Sequence, residues 1–188
     1  VTVKNQQGKA KPDGVVLDIR DLHTYFFTDL GISRALNGVS LQVPAGKVMG
    51  VVGESGCGKS VTALSVMRLV PKPGRIVSGE IYFHRGDAGQ ASANAVDLTT
   101  LDPMGDEIRS IRGGEIAMIF QEPMTSLNPV FPIGAQIVEA ITLHQEVSRE
   151  EAYSAAIALL GEIGLSSPEQ QVEWYPHQLS GGMRQRVM

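Results

Sequence analysis

Eight consecutive residues in the first third of the chain have the types and spacing required to bind phosphate. They fit the pattern G-x-x-x-x-G-K-[ST] in full and are, in order, Gly53, Glu54, Ser55, Gly56, Cys57, Gly58, Lys59 and Ser60. Glycines allow the backbone to turn so that successive N–H groups point inward, and a following helix adds the positive end of its dipole. We therefore expect Lys59 to reach the β- and γ-phosphates of a nucleotide and the Ser60 hydroxyl to bind Mg²⁺.

Cys57 has two interpretations within this loop. Its thiol lies at a predicted helix start, which would activate it, but a small side chain at this position also fills the loop, and we favour that role. It is the only cysteine of the chain, which excludes an internal disulfide framework and fits a reducing compartment.

A second segment, near the end of the chain, has the composition of another anion site. Ser180, Gly181 and Gly182 precede a helical pattern, and a serine hydroxyl with exposed amides at a helix start binds anions. One nucleotide does not need two such sites from one chain, so we expect this segment to bind the terminal phosphate held by Lys59 of a partner molecule. A simple helix cap beside a flexible turn explains the same residues, and the segment alone does not exclude it.

The elements that must position the phosphate loop alternate between strands and helices. A buried strand precedes the loop and an apolar helix follows it, and Gly86 to Asn94 have the small, polar composition of a surface loop. The apolar and alternating patterns predict strands at residues 15–27, 40–43, 47–52, 80–83 and 116–120. The segment at 47–52 is expected to be a buried parallel strand, and that at 116–120 a further buried strand.

The composition changes after residue 120, where prolines are followed by two amphipathic helices. The first helix has isoleucines at helical spacing: Ile133, Ile137 and Ile141. The second opens with Ser148 and Glu151 in capping-box spacing, and Gly164 is its predicted end.

These patterns predict the organisation of the whole chain. We expect a disordered tail over 1–14, an α/β domain over 15–188, and a helical subdomain inserted at about 125–178.

Bulk composition is that of an ordinary globular protein with enough apolar material for a core. Of the 188 residues, 43% are hydrophobic and 19% are charged, and the formal net charge is −4. There is no basic stripe, which argues against a nucleic-acid partner. No apolar run approaches the roughly 18 residues that a membrane-spanning helix needs.

Three motifs, in order and at characteristic spacing, resemble the ABC ATPase family over the chain from about Val16 onward. They are GESGCGKS, the glutamine of AMIFQEP and LSGGMRQRV. The resemblance implies a P-loop NTPase core, with a parallel sheet and flanking helices, a small antiparallel β region and an inserted helical subdomain. It also implies that two ATP-binding domains enclose two ATP molecules head to tail.

The same resemblance implies roles for individual residues. Residues 53–60 would be the Walker A loop, and Gln121 the Q-loop glutamine that contacts Mg²⁺ and the attacking water. Ser180, Gly181 and Gly182 would form the signature. Phe26 falls where the family places an aromatic that stacks on adenine, with Tyr25 and Phe27 as alternatives, and a core position is an equal alternative for each of the three.

Finer features resemble the branch that imports peptides, including dipeptide, oligopeptide and glutathione importers. Met183 replaces the commonest glutamine of the signature, and the segment MTSLNP follows Gln121. The resemblance implies an ATPase at the cytoplasmic face of the inner membrane. Its partners would be a second ATP-binding domain (identical, different or in the same chain), transmembrane permease subunits and, indirectly, a substrate-binding protein.

The resemblance also implies motifs that the sequence to Met188 does not contain. We expect the Walker B strand with its Asp-Glu pair, the D-loop, the switch histidine and a cysteine-containing extension to lie downstream. His177 does not replace the switch histidine, because it precedes the signature. Without the acidic pair, these 188 residues alone are expected to be inactive.

Three alternatives stay open at this stage. A non-transport ABC ATPase would carry coiled-coil, zinc or basic insertions, and the sequence has none of them. A nucleotide-binding module without its own catalysis would bind ATP but not turn it over. A P-loop kinase would leave the second anion segment unexplained.

Overall fold

The computed structural model describes residues 2–3, 14–85, 95–120 and 126–188. The chain divides into two compact units, Val1–Arg112 and Gly113–Met188. Parts of the predicted tail, the predicted loop at 86–94 and Gln121 lie outside the described residues. Within the described ranges, no helix combines the length and apolar character needed to cross a bilayer.

The first unit is built mainly from antiparallel strands. Its strands are β1 (Thr2–Val3), β2 (Val15–Thr28), β3 (Gly31–Pro44), β4 (Val51–Val52), β5 (Gly74–His84) and β6 (Ala95–Asp97). Its helices are α1 (Lys59–Val66) and α2 (Asp106–Ile111). One sheet has the order β3-β2-β5-β6 with every neighbouring pair antiparallel, and β1 pairs with β4.

Strand β2 lies inside this sheet and buries one of its faces. Ile19, Leu22 and Thr24 are buried, and the side-chain alternation is interrupted where Asp21 adopts a positive φ of 45° at an irregularity in the strand register. The strands predicted at residues 15–27, 40–43 and 80–83 are confirmed and are longer than predicted.

The predictions of two buried strands, at 47–52 and 116–120, are wrong in their detail. Only Val51–Val52 of the first forms a strand, and its partner β1 is antiparallel. Val48 is fully exposed at 101%, and residues 117–120 are not a strand, with Ile119 85% exposed. The physical reason is that a parallel strand becomes buried only when strands beside it and helices on both faces cover it. The described residues of the chain supply no such cover at these two segments.

The helix after the phosphate loop is shorter than its apolar pattern suggested. It spans Lys59–Val66, and Arg68, at a φ of 54°, has already left the helical conformation. The apolar residues that follow Val66 therefore do not extend the helix.

The second unit is helical. Its elements are α3 (Ile133–His144), α4 (Arg149–Glu162), α5 (Pro168–Gln171), a 3₁₀ turn at Pro176–Gln178 and α6 (Gly181–Val187). The predicted isoleucine face of α3 is confirmed, since Ile133 is fully buried and Ile137 and Ile141 pack against the core. Buried apolar residues from several elements form the main cluster: Ile133, Leu160, Leu165, Val172 and Leu179.

Both predicted ends of α4 are confirmed. The Ser148 hydroxyl accepts from the Glu151 amide at 3.2 Å, and the Glu151 carboxylate accepts from the Ser148 amide at 2.8 Å. The Ser148 hydroxyl also donates to the Glu151 carboxylate at 2.7 Å, and this bond, followed by the bond from the Ser148 amide, lowers the pKa of Glu151. At the other end, Gly164 has a φ of 78°, and its amide donates to Gly161 O at 2.9 Å.

Candidate functional site

The phosphate loop folds around the side chain of its own lysine. The Lys59 ammonium donates to the carbonyl oxygens of Gly53 and Glu54, both at 2.7 Å, and lies 3.5 Å from Cys57 Sγ. A Cβ built on Gly53 would come within 2.6 Å of that sulfur, so the Cys57 side chain occupies the interior of the loop. This geometry favours a filling role for Cys57.

Helix α1 begins at the point where the loop ends. The first backbone amides of a helix have no acceptor within the helix. Among the described residues, the amides of Gly58, Lys59 and Ser60 also donate to no acceptor elsewhere in the protein. Ser60 is exposed beside them. Unpaired amides, a lysine ammonium and a hydroxyl therefore lie together at one helix start, which is the donor set that a phosphate group accepts from.

Gly58 must be glycine for two reasons. Its φ of 97° is a conformation that side-chain-bearing residues rarely adopt, and a Cβ would lie 2.7 Å from Leu36 Cδ2 and 2.8 Å from Ala35 O. The close approach places the start of α1 directly against strand β3. The loop is therefore held on one side by the sheet.

Two further contacts hold α1 in place. The hydroxyls of Thr24 and Ser65 share a buried hydrogen bond of 3.0 Å that joins strand β2 to the helix. At the other end, Arg112 donates to Met67 O at 2.7 Å and to Arg68 O at 3.0 Å, so a cation satisfies carbonyls at the negative end of the helix dipole. Burial, followed by the charges of Arg68 and Arg109, lowers the pKa of Arg112.

The three aromatic candidates for adenine stacking have different neighbours in the sheet. The Phe26 ring lies against Gly74, where an added Cβ would come within 2.8 Å of the side chains of both Phe26 and Val70. The Tyr25 hydroxyl donates to Asn37 Oδ1 at 3.1 Å. The Arg75 guanidinium carbon lies over the Phe27 ring, 4.4 Å from the centre of that ring. All three are half-buried, so each ring keeps an accessible part.

The second anion segment is formed as a capped helix start in the second unit. The Ser180 hydroxyl accepts a hydrogen bond from the Met183 amide at 3.3 Å. Gly181 and Gly182 are exposed, and no neighbouring atom lies within 4 Å of the position that a Cβ would take at either residue. Buried Leu179 and the partly buried Met183 anchor the helix in the apolar cluster. His177 stacks on Tyr175, with ring centres 5.8 Å apart.

Gln121, the remaining predicted site residue, lies outside the described residues. Among the side chains that the structure does describe, no group of three or more His, Cys, Asp or Glu residues is placed to hold a metal ion. Of the two predicted metal ligands, the structure therefore describes only Ser60, whose exposed hydroxyl at the helix start is a suitable oxygen donor.

Sequence reasoning missed two arginines that hold the site segments. One is Arg112 at the end of α1, and the other is Arg186, whose guanidinium donates to Ile163 O and Gly164 O, both at 2.9 Å. Their acceptors are backbone carbonyls 22 to 45 residues away. No residue type or spacing marks such acceptors in a sequence.

Comparison with known proteins identifies the family. The family model described as ABC transporter matches residues 36–188. A probable peptide ABC transporter ATP-binding protein, y4tR of Sinorhizobium fredii, is 46% identical over 97% of this chain, which covers 51% of that protein. The probable D,D-dipeptide transport ATP-binding protein DdpD of Escherichia coli is 47% identical over 92% of the chain and 49% of its own length.

Other matches extend the comparison to glutathione import and to solved structures. The glutathione import ATP-binding protein GsiA of Pectobacterium atrosepticum is 43% identical over 96% of this chain and 28% of its own length. The dimeric ABC transporter cassette MJ0796 superposes with a TM-score of 0.71 at 25% identity, covering 91% of this chain and 66% of that one. A second MJ0796 structure represents a post-hydrolysis state bound to ADP and Pi.

The similarity to the MJ0796 cassette and the match to the family model confirm that the chain has an α/β fold of the P-loop class, which binds nucleotides. The chain spans about half the length of the first curated relatives that it matches. Because the family model covers most of its residues and the phosphate loop has the geometry that the motif requires, the chain belongs to the ABC transporter family.

Proposed function

We propose that the protein containing this chain is the ATP-binding component of an ABC importer that couples ATP binding and hydrolysis to peptide uptake. The observation that carries this proposal is the phosphate loop, in which unpaired amides, Lys59 and Ser60 meet at the start of α1. The names of the relatives, which include peptide, dipeptide and glutathione importers, support a peptide or glutathione as the cargo.

In this function, the residues from Gly53 to Ser60 bind the phosphates of ATP. Lys59 exchanges its two backbone carbonyl acceptors for β- and γ-phosphate oxygens, which are stronger acceptors because they are charged. Phe26 stacks on the adenine ring, with Tyr25 and Phe27 as the alternatives. Phosphoryl transfer depends on such positioning and charge neutralisation more than on covalent help from the protein.

A Mg²⁺ ion would be held by the Ser60 hydroxyl and by Gln121. When bound, Mg²⁺ neutralises charge on the phosphate oxygens. Ser60 fits this role because its hydroxyl is exposed next to the helix amides. Gln121 would orient the attacking water.

The segment Ser180–Gly182 binds the γ-phosphate of a nucleotide held by another ATP-binding domain. Its exposed glycines leave room for close approach of a ligand. Binding of ATP then closes two domains on each other, and hydrolysis removes the shared charge and lets them open, which is a ligand-driven shift between two states.

The proposed function requires partners and a location. The partner domain is identical, different or part of the same chain. Transmembrane permease subunits receive the movement, a substrate-binding protein delivers the cargo, and the ATP-binding component lies at the cytoplasmic face of the inner membrane. The dimeric cassette among the structural matches and the importer names of the relatives support these assignments.

Replacement of Lys59 by alanine in the full-length protein tests the proposal. We expect ATP-dependent peptide uptake into vesicles carrying the assembled importer to fall to background, because the cation facing the phosphates is lost. The matched control is Lys47→Ala, which removes an exposed lysine outside the loop and should leave uptake unchanged. Intact uptake by the Lys59 variant would contradict the proposed mechanism.

A further inference from the structure

A polar groove of about 380 Å³ runs beside the phosphate loop in the first unit. Its walls are residues 34–40 of strand β3 and Cys57 of the loop, and we call it the β3 groove. Because Ala35 and Leu36 contact the position of Gly58, the groove begins where helix α1 starts. A ligand bound at the phosphate loop would therefore lie at its edge.

The β3 groove contains one guanidinium, that of Arg34. Arg34 is exposed, and within the described part of the chain it forms no ion pair with a carboxylate. A cation that forms no ion pair with a carboxylate, beside a phosphate-binding loop, is available to an anionic ligand. This availability is notable in a chain whose formal net charge is −4.

The position of Arg34 is set by neighbouring side chains. Its guanidinium carbon lies 5.6 Å from the centre of the Tyr25 ring. The Tyr25 hydroxyl donates to Asn37 Oδ1 at 3.1 Å and lies 3.2 Å from His23 Nδ1. These contacts fix the ring, and the fixed ring holds the guanidinium at the groove.

We propose that Arg34 is an additional nucleotide-binding residue, which donates hydrogen bonds from the β3 groove to a phosphate of the nucleotide held at Gly53–Ser60. This inference rests on the proposed function, since it takes a nucleoside polyphosphate as the ligand. Arginine suits the role because its planar guanidinium matches phosphate oxygens and remains charged.

Arg75 provides a matched control on the same sheet. It is exposed, it also stacks on an aromatic ring, that of Phe27, and within the described residues it likewise forms no ion pair. It lies on β5 and does not line the β3 groove. Replacing Arg75 therefore removes the same charge and the same kind of stacking without changing the groove.

The test compares the binding of ATP and of inorganic tripolyphosphate by the full-length protein and its Arg34→Gln, Arg34→Lys and Arg75→Gln variants, measured by calorimetry. We expect Arg34→Gln to weaken both ligands roughly tenfold, as loss of a charge-assisted hydrogen bond does. Arg34→Lys should recover part of the affinity because it keeps the charge, and Arg75→Gln should change affinity less than about twofold. Thermal unfolding of each variant checks that the fold is unchanged.

Three results would overturn the inference. They are unchanged ATP affinity in Arg34→Gln, an equal loss in Arg34→Gln and Arg75→Gln, and a loss for ATP but not for tripolyphosphate, which would mean that Arg34 contacts the nucleoside. The Lys59→Ala variant in the same titration separates the two proposals. If Lys59→Ala loses ATP while Arg34→Gln keeps it, only the role of Arg34 fails, and if Lys59→Ala keeps ATP, the proposed function fails.

Discussion

At the scale of single residues, the side chains of Cys57 and Lys59 occupy the interior of the phosphate loop beside Gly53. The Cys57 sulfur lies where a side chain at Gly53 would project, and the Lys59 ammonium lies on two loop carbonyls. The backbone of Gly53 itself is not in the left-handed region, so alanine is excluded there by contact with Cys57 and not by strain.

The crowding at Gly53 predicts a rescue. Gly53→Ala should weaken ATP binding by one to two powers of ten, because overpacking of this kind costs about 1–3 kcal/mol. Adding Cys57→Ala removes the sulfur and leaves the new methyl group 3.7 Å from Cys57 Cβ, an ordinary contact, so most of the affinity should return. ATP titrations of both single variants and the double variant measure this coupling. A double variant no better than Gly53→Ala would show that Cys57 is not what excludes a side chain.

Residue types predicted the loop well but not the residues that support it. Gly58 and Lys59 follow from the motif because the backbone geometry and charge needed for phosphate restrict the residue type locally. Arg34 and Arg112 could not be predicted, since their roles depend on an aromatic ring across the sheet and on carbonyls more than 40 residues away.

At the scale of elements, local signals decided which predictions succeeded. The ends of α4 were predictable, because a capping box and a left-handed glycine are complete within a few residues of sequence. Segments 47–52 and 116–120 were mispredicted as buried strands, because an apolar run becomes a buried strand only when distant elements cover it. The inserted helical subdomain at about 125–178 stays a prediction.

The cap of α4 predicts a pH-dependent effect. Ser148→Ala should destabilise the first turn of α4 by about 1 kcal/mol at neutral pH. In the full-length protein, this loss should make hydrogen exchange of the amides in that turn about fivefold faster. Ser154→Ala, which removes an exposed hydroxyl within the same helix, is the control and should change exchange little.

The pH dependence follows from the lowered pKa of Glu151, for which the hydrogen bonds from Ser148 are the largest cause. A carboxyl whose pKa is lowered in the folded state stabilises that state at pH values above its ordinary pKa of 4.5. That contribution is lost as the pH falls through the lower, folded-state pKa. The difference in exchange between Ser148→Ala and the parent protein should therefore shrink at acid pH. A difference that stays constant would mean that Glu151 takes no part in the cap.

At the scale of the whole molecule, the proposed mechanism depends on two glycine-bearing segments in different units. Gly53–Ser60 belong to the first unit and Ser180–Gly182 to the second. The chain spans about half of its first curated relatives, and the similar MJ0796 cassette is dimeric. The segments therefore have their proposed meaning only in the assembled, full-length protein, where each would face the nucleotide held by another domain.

The most direct test is a structure of the full-length protein with its partner domain, bound to a nonhydrolysable ATP analogue. We predict that the Ser180 hydroxyl lies within hydrogen-bond distance, roughly 3 Å, of the γ-phosphate held by Lys59 of the opposing ATP-binding domain. A structure in which Ser180, Gly181 and Gly182 lie far from every bound nucleotide would contradict the shared site and leave only an ordinary nucleotide pocket at Gly53–Ser60.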